Sequence, residues 1–153
     1  MTNEVMINWT DTDHIIVNGT PNYVPIVSTS ARTNGYVDNT GTDALNDEIK
    51  FKRYFPKSGT YRAKLVWYRN SNGGIIDVGL DTPAGNNIFD GISMSGSNLW
   101  NNENFSTIEV SRGFHDISFL AQADGGASDF EFEYQFLQFD LIDEHDVLGE
   151  DAP

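Results

Sequence analysis

The residues from 60 to 69 constrain the fold more strongly than any other part of this sequence. Apolar side chains occupy every second position, namely Tyr61, Ala63, Leu65 and Trp67. The positions between them hold Arg62, Lys64, Val66 and Tyr68. Successive side chains of a β-strand point to opposite faces, so this alternation predicts a strand with one core face and one basic, partly solvated face.

Short segments of this kind continue along the chain, separated by turn residues, while signals for helices are scarce. This organisation is typical of a sandwich or barrel of short strands, so the expected class is all-β with antiparallel sheets. The residues Asn-Ser-Asn-Gly-Gly at 70–74 indicate a tight connection, because they tolerate positive φ. Strands over 60–69 and 75–80 are therefore predicted to form a hairpin.

The last predicted strand changes phase along its length. Apolar residues occupy even positions up to Phe136 and odd positions from Leu137 onward. A one-residue slip of this kind is produced by a β-bulge, which we expect near Phe136 and Leu137. Glu131 and Glu133 share a face, and we interpret them as the solvated side of an outer strand. The two carboxylates of a glycosidase would instead lie on facing elements.

The first 45 residues are less regular than the rest. Strong strand signals occur there only at 15–17 and 24–27, and Pro21 and Pro25 favour positions at a sheet edge. The chain is predicted to be one domain in three parts: an irregular N-terminal arm with the first strands at 1–45, a β-sandwich core at 46–142, and a solvated tail with five acidic residues at 143–153.

The balance of charge argues against several partners. The chain has 153 residues, with 9 Lys and Arg against 23 Asp and Glu, and its net charge is −14. Such a surface repels phosphate backbones and anionic lipids, so we expect neither nucleic acid nor a membrane as a partner. No apolar run approaches the ~20 residues of a membrane span, and residues 1–8 do not resemble a signal peptide.

The sequence carries no recognisable motif for catalysis. It has no cysteine, no Gly-x-Ser-x-Gly nucleophile motif and no Gly-x-x-x-x-Gly-Lys phosphate loop. The three histidines, His14, His115 and His145, are far apart in the sequence. We therefore expect no catalytic residues, no cofactor-binding residues and no enzymatic activity.

A calcium site is the one metal site that the sequence suggests. Asp38, Asp43 and Asp47 lie in a segment dense in oxygen ligands, of which calcium takes six to eight. The spacing differs from an EF-hand loop, and turns with Asx hydrogen bonds explain the same residues.

Two further groups of residues suggest binding surfaces. Seven of the nine basic residues lie between positions 50 and 69. They predict one basic sheet region, which is either a solvated face or a docking surface for an acidic neighbour such as another copy's tail. Aromatic residues outside the core pattern are candidates for stacking on sugar rings, namely Trp9, Tyr36, Tyr68 and Trp100.

The order of the turns and strands carries a family resemblance. The successive segments are Ser-Gly-Thr-Tyr at 58–61, Asn-Gly-Gly-Ile-Ile-Asp-Val-Gly-Leu-Asp at 72–81, Phe-Asp-Gly at 89–91, Ser-Arg-Gly-Phe-His-Asp-Ile-Ser-Phe at 111–119, and a closing strand at 134–141. In this order, residues 46–142 resemble a jelly-roll-like β-sandwich domain of structural proteins of tailed bacteriophages. Carbohydrate-binding modules share that architecture. The resemblance implies an antiparallel, jelly-roll-like β-sandwich without catalytic residues.

The resemblance also implies a place and partners. A stand-alone copy is similar to a capsid decoration protein, which would bind the outer capsid surface of a virion and reinforce it. Its partners would be the major capsid protein, other virion proteins, and copies of itself in a homo-oligomer such as a trimer. The candidate interface residues are Met6, Ile7, Trp9, Lys52, Arg62, Lys64, Arg69, Glu144 and Asp146.

Two other functions remain open on the same sequence. The first is a carbohydrate-binding module, or the domain of a phage fibre or tail that binds host glycans. The second is a small enzyme that degrades glycans.

Overall fold

Strands make up most of the chain that the structure describes. A computed structural model describes residues 4–19, 23–26, 36–39, 46–69, 71, 73–81, 87–96, 102–123 and 131–145, with the backbone alone at 23, 24, 36–39, 87 and 123. Within these ranges the strands are β1 (Glu4–Asn8), β2 (Ile15–Asn18), β3 (Tyr23–Ile26), β4 (Tyr36–Asn39), β5 (Glu48–Phe55), β6 (Gly59–Tyr68), β7 (Ile75–Leu80), β8 (Asn87–Ser93), β9 (Asn102–Val110), β10 (Gly113–Ala123) and β11 (Phe132–Glu144). The described residues include no helix that is long and apolar enough to cross a membrane.

The strands form two antiparallel sheets. One sheet has the order β3-β4-β11-β6-β9, with β1 also paired to β11. The other sheet has the order β2-β5-β10-β7-β8. The expected all-β, antiparallel sandwich is confirmed.

The two sheets meet along their central strands. The Phe119 ring of β10 lies almost parallel to the rings of Phe132 and Tyr134 of β11, with interplanar angles of 3° and 6°. The ring centroids are 5.5 Å and 4.9 Å apart. All three side chains are buried. Stacked aromatic pairs of this kind contribute about 0.5–1.5 kcal/mol beyond the area that they bury.

Strand β6 has the predicted orientation, with its alternate apolar residues in the core. Tyr61, Ala63, Leu65 and Trp67 are all buried. Arg62 lies exposed on the opposite face, as predicted. Val66 and Tyr68 on the same face are buried, so this face is only partly solvated, which also agrees with the prediction.

The predicted hairpin between residues 60 and 81 is wrong. Strand β6 belongs to the six-stranded sheet and β7 to the five-stranded sheet, so the segment between them crosses the sandwich. Gly73 and Gly74 pass close to other backbone in this crossing. Gly74 donates its N–H to the carbonyl of Glu131, and a Cβ on Gly73 would collide with the carbonyl oxygen of Met94. Gly73 therefore serves a close approach of two backbone segments rather than a tight turn.

The phase change in the last strand is confirmed. The register between β11 and β6 shifts between Tyr134 and Phe136, which leaves Gln135 as the extra residue of a bulge. The expected position was one residue later. The bulge allows apolar residues on both sides of it to face the core, namely Phe132, Tyr134, Leu137 and Phe139.

The placement of β11 as an outer strand with a solvated glutamate face is wrong. Strand β11 lies between β4 and β6, inside the six-stranded sheet. Glu133 is accordingly only 4% exposed, and Glu131 is half-buried.

The described part of residues 1–45, where an irregular arm and the first strands are expected, contains four strands. Strand β1 pairs with β11 and places Val5 and Ile7 in the core. Strand β3 lies at the edge of its sheet, as Pro25 predicts, whereas Pro21 is outside the described residues. At the other end, β11 continues past residue 142 to Glu144.

The predicted single basic region is also wrong, because the basic residues are divided between the sheets. Lys50 and Lys52 lie on β5 in the five-stranded sheet, while Arg62 and Lys64 lie on β6 in the six-stranded sheet. Acidic side chains of the same chain pair with most of them. The ion pairs are Lys50–Asp116, Arg53–Asp11, Arg53–Asp13, Lys57–Glu144, Arg62–Asp140 and Lys64–Glu103.

The packing of β1 leads to a stability prediction. Ile7 is fully buried, so Ile7→Ala should lower the free energy of unfolding by about 2–5 kcal/mol, as measured by urea denaturation. Ile15 of β2 is 54% exposed and is a matched control. Ile15→Ala should change the free energy by less than about 0.5 kcal/mol. A loss for Ile7→Ala as small as that for Ile15→Ala would contradict the placement of β1.

Candidate functional site

A cleft opens along one side of the sandwich. It lies where β8, the edge strand of the five-stranded sheet, contacts β9, the edge strand of the six-stranded sheet. Its volume is about 410 Å³, within the range of small-ligand sites. The lining residues are Trp67, Arg69, Ile88, Phe89, Asp90, Gly91, Ile92, Ser93, Asn104, Phe105 and Ser106.

The inner wall of the cleft is fixed by Trp67. Its indole Nε1 donates a hydrogen bond of 2.7 Å to Oδ1 of Asn104, which joins β6 to β9. The guanidinium carbon of Arg69 lies 5.6 Å from the centre of the Trp67 ring. Because Trp67 is only 4% exposed, its ring is a structural wall and offers no open face for a ligand.

Phe105 provides the exposed aromatic ring of the cleft. It lies on β9 opposite Lys64 of β6, and it is 55% exposed. Along β9, the side chains of Asn104 and Ser106 are less exposed, while Phe105 points outward at the mouth of the cleft. A ring in this position can stack on a flat apolar surface of a ligand while nearby polar side chains accept and donate hydrogen bonds.

A buried carboxyl group shapes the β8 side of the cleft. Asp77 of β7 accepts a hydrogen bond of 2.7 Å from the backbone N–H of Gly91. The register between β7 and β8 shifts at this point, and Gly91 adopts φ of 69°. Burial raises the pKa of Asp77, the Gly91 hydrogen bond opposes that shift, and the neighbouring Asp90 carboxyl adds to it by charge repulsion and hydrogen bonding.

A second cluster has the composition of a hydrolase triad but not its hydrogen-bond geometry. His115 Nδ1 lies 2.7 Å from the Asp81 carboxylate, and Nε2 lies 3.4 Å from the Ser111 hydroxyl. Nε2 is closer, at 2.7 Å, to the backbone carbonyl oxygen of Ser111. Both ring nitrogens therefore face oxygen atoms, and the closer contact of Nε2 is with the carbonyl of Ser111 rather than with its hydroxyl. The cluster ties the turn at 111–113 to Asp81.

The calcium prediction is only partly covered by the described residues. Asp47 is buried, and its backbone carbonyl accepts a hydrogen bond from Ala121. Asp38 lies on β4 with its backbone alone described, and Asp43 is outside the described residues. Among the described side chains, no group of three or more His, Asp or Glu could hold a metal ion. The calcium site stays a prediction.

The predicted interface residues are dispersed over the fold. Ile7 is fully buried and is therefore unavailable to a partner, which corrects that assignment. Met6 and Trp9 are half-buried, and Trp9 packs against the core. Lys52 lies on the five-stranded sheet, away from Arg62 and Lys64. Glu144 pairs with Lys57 of the same chain, and Asp146 is outside the described residues.

The aromatic residues proposed for sugar stacking also need correction. Tyr68 is only 1% exposed, so it cannot stack on a ligand. Trp100 lies outside the described residues, and the side chain of Tyr36 is not described. Phe105 was not among the candidates, although a signal for it exists. It is the one apolar residue among the outward positions of β9, which otherwise hold Glu103, Thr107 and Glu109.

The raised pKa of Asp77 leads to a prediction about pH. The folded protein holds the Asp77 proton more tightly than the unfolded chain, in which the pKa of this carboxyl is 3.8. Stability is therefore lost as the pH rises from 3.8 through the folded pKa. Asp77→Asn keeps an acceptor for Gly91 and removes the charge. As the pH rises from 3 to 7, the free energy of unfolding of the variant should increase relative to that of the parent, as measured by urea denaturation. An equal difference between variant and parent at both pH values would contradict the assignment.

Comparisons of sequence find no relative. No protein-family model matches the chain, and no curated protein matches it. Comparisons of structure do find similar folds. A family 35 carbohydrate-binding module from Clostridium thermocellum has a TM-score of 0.58 and 19% identity, covering 89% of this chain and 96% of the module.

Two other solved structures are similar. The first is a CBM36 domain of a xylanase from the hindgut metagenome of Trinervitermes trinervoides, with a TM-score of 0.60, 19% identity, and coverage of 90% of this chain and 96% of that domain. The second is a carbohydrate-binding module of Cellvibrio mixtus lichenase 5A in complex with cellotriose, with a TM-score of 0.59, 16% identity, and coverage of 92% and 98%. The predicted phage family has no counterpart among these neighbours. The chain has the jelly-roll β-sandwich fold of carbohydrate-binding modules.

Proposed function

We propose that this protein binds carbohydrate, without catalysing a reaction on it, through the cleft between β8 and β9. The observation that carries the proposal is the exposed ring of Phe105 at the mouth of a cleft with polar walls. A pyranose ring has an apolar face bordered by hydroxyl groups. It suits a site that combines an aromatic ring with hydrogen-bonding side chains.

The cleft supplies those hydrogen-bonding groups. Asp90 and Ser93 lie on the β8 side, and Asn104 and Ser106 lie on the β9 side. Both strands are paired along their other edges within the sandwich, so the groups are held at fixed positions before a ligand arrives. A preformed site loses less conformational entropy on binding than a flexible one. Similarity to solved carbohydrate-binding modules supports the same function.

The acidic residues beside the cleft support binding rather than hydrolysis. A glycosidase holds its two carboxyl groups about 5–9.5 Å apart, on either side of the scissile bond. Asp90 is instead the only carboxyl among the described residues that line the cleft, and the neighbouring Asp77 is only 5% exposed. A single accessible carboxyl cannot act on both sides of a glycosidic bond.

Decoration of a phage capsid, with the outer capsid surface as its location, is a separate hypothesis that no described contact favours. Its apolar contacts were assigned to Met6, Ile7 and Trp9, yet Ile7 is part of the core. Its electrostatic contacts were assigned to basic residues that pair with acids of the same chain, such as Lys57 with Glu144. Binding to other virion proteins and self-association remain predictions from the sequence.

A matched pair of variants tests the proposal. The parent protein is first screened on a glycan array, and affinity for the best ligand is then measured by isothermal titration calorimetry. Phe105→Ala should weaken binding about tenfold, because truncating a central aromatic contact costs more than about 1 kcal/mol. Phe114→Ala is the control, since Phe114 is 68% exposed but lies on the five-stranded sheet.

The control variant should bind within about twofold of the parent, and both variants should unfold at similar urea concentrations. Equal losses for the two variants would place the ligand elsewhere. Absence of binding to every glycan on the array would remove the proposed function.

A further inference from the structure

The ring of Phe105 belongs to two adjacent cavities. It lines the cleft already described, and it also lines a shallow cavity of about 430 Å³ on the outer face of the six-stranded sheet. The residues around this second cavity are Arg62, Phe105, Ser106 and Thr107. Because Phe105 and Ser106 are common to both, a linear ligand can pass from the cleft over the ring and onto the sheet face.

Two cations lie over the ring on that face. The guanidinium carbon of Arg62 lies 5.9 Å from the centre of the Phe105 ring, and Lys64 Nζ lies 5.7 Å from it. Lys64 Nζ is also 5.8 Å from the centre of the Phe136 ring. Arg69 adds a third cation inside the adjoining cleft. The chain has only nine basic residues, and three of them gather along this one edge of the sandwich.

The ion pairs of these cations leave room for a ligand. Arg62 is 3.9 Å from Asp140, and its side chain is 53% exposed. Lys64 is 3.5 Å from Glu103, whose side chain is 49% exposed. Exposed pairs of this length contribute little to stability, so an incoming anion can displace a carboxylate at small cost. Arg62 could then hold a carboxylate with two parallel hydrogen bonds, a stronger arrangement than its present contact.

The net charge of −14 opposes binding of an anion, but distance weakens that opposition. At physiological ionic strength, charges more than about 8 Å away are largely screened. The charges within that distance then decide whether an anion binds. Gln138 donates its amide to the Asp140 carboxylate, which weakens the attraction of Asp140 for Arg62.

We propose that the face formed by Phe105, Arg62 and Lys64 is a second subsite that binds an anionic sugar unit of a linear polysaccharide. The neighbouring sugar unit of the same polysaccharide occupies the cleft. This inference rests on the proposed function. It adds that the ligand is an acidic glycan, bound along its length rather than at its end.

Two polymers with the same backbone test the charge preference. Polygalacturonate carries a free carboxylate on each sugar, and highly methyl-esterified pectin carries the same sugars with most carboxyls blocked. Affinity of the full chain for each polymer is measured by affinity electrophoresis and calorimetry in 0.15 M salt. Dextran sulfate and uncharged dextran form a second pair, which separates a general demand for anions from a demand for carboxylates.

The parent protein should bind polygalacturonate about fivefold more tightly than the esterified polymer, a typical effect of one exposed charge contact. Arg62→Gln should remove most of this preference, with little effect on affinity for the esterified polymer. Lys52→Gln removes the same charge from the other sheet and should leave the preference intact.

Equal affinity for the two galacturonate polymers would overturn the anionic subsite. A preference that Arg62→Gln and Lys52→Gln reduce equally would overturn it too, since only long-range charge would then be acting. Tighter binding of dextran sulfate than of polygalacturonate would keep the subsite and assign it to sulfated sugars. If the protein binds neutral glycans on the array but no acidic polymer here, the subsite fails and the proposed function stands. Absence of all glycan binding removes both.

Discussion

The structure depends on the stack of Phe119 against Phe132 and Tyr134. These rings belong to β10 and β11, the central strands of the two sheets, so their contact sets the distance between the sheets. The bulge at Gln135 makes the stack compatible with the rest of β11. Without the extra residue, either the rings before the bulge or Leu137 after it would face solvent.

The stacked rings hold the sandwich together at its centre, and the candidate binding site lies at its side. The cleft opens where the edge strands β8 and β9 contact each other. Trp67 closes the inner end of that opening with its hydrogen bond to Asn104, and Phe105 stands at the outer end. The core therefore positions the ring and polar groups of the site, although none of the three stacked residues lines it.

Local alternation predicted the strands well but could not predict which strands are neighbours. The pattern from Tyr61 to Trp67 determines which face is buried, because that depends on one strand alone. Whether β6 pairs with β7 or crosses to the other sheet depends on contacts of Gly73 with Met94, which are distant in sequence. Strand β1 escaped notice because only Val5 and Ile7 carry its apolar alternation. Phe105 is an isolated apolar residue in a polar row, so its importance emerges only when the cleft beside it is seen.

The central claim is that a glycan contacts the β8–β9 edge and the ring of Phe105. A titration followed by ¹H–¹⁵N NMR tests it most directly, using isotopically labelled protein and the glycan that binds best on the array. The account predicts that chemical-shift changes concentrate at residues 88–93 and 102–107, with further changes at Arg62 and Lys64 when the glycan is acidic. Changes centred instead on the outer face of the five-stranded sheet, around Tyr54 and Phe114, would contradict it.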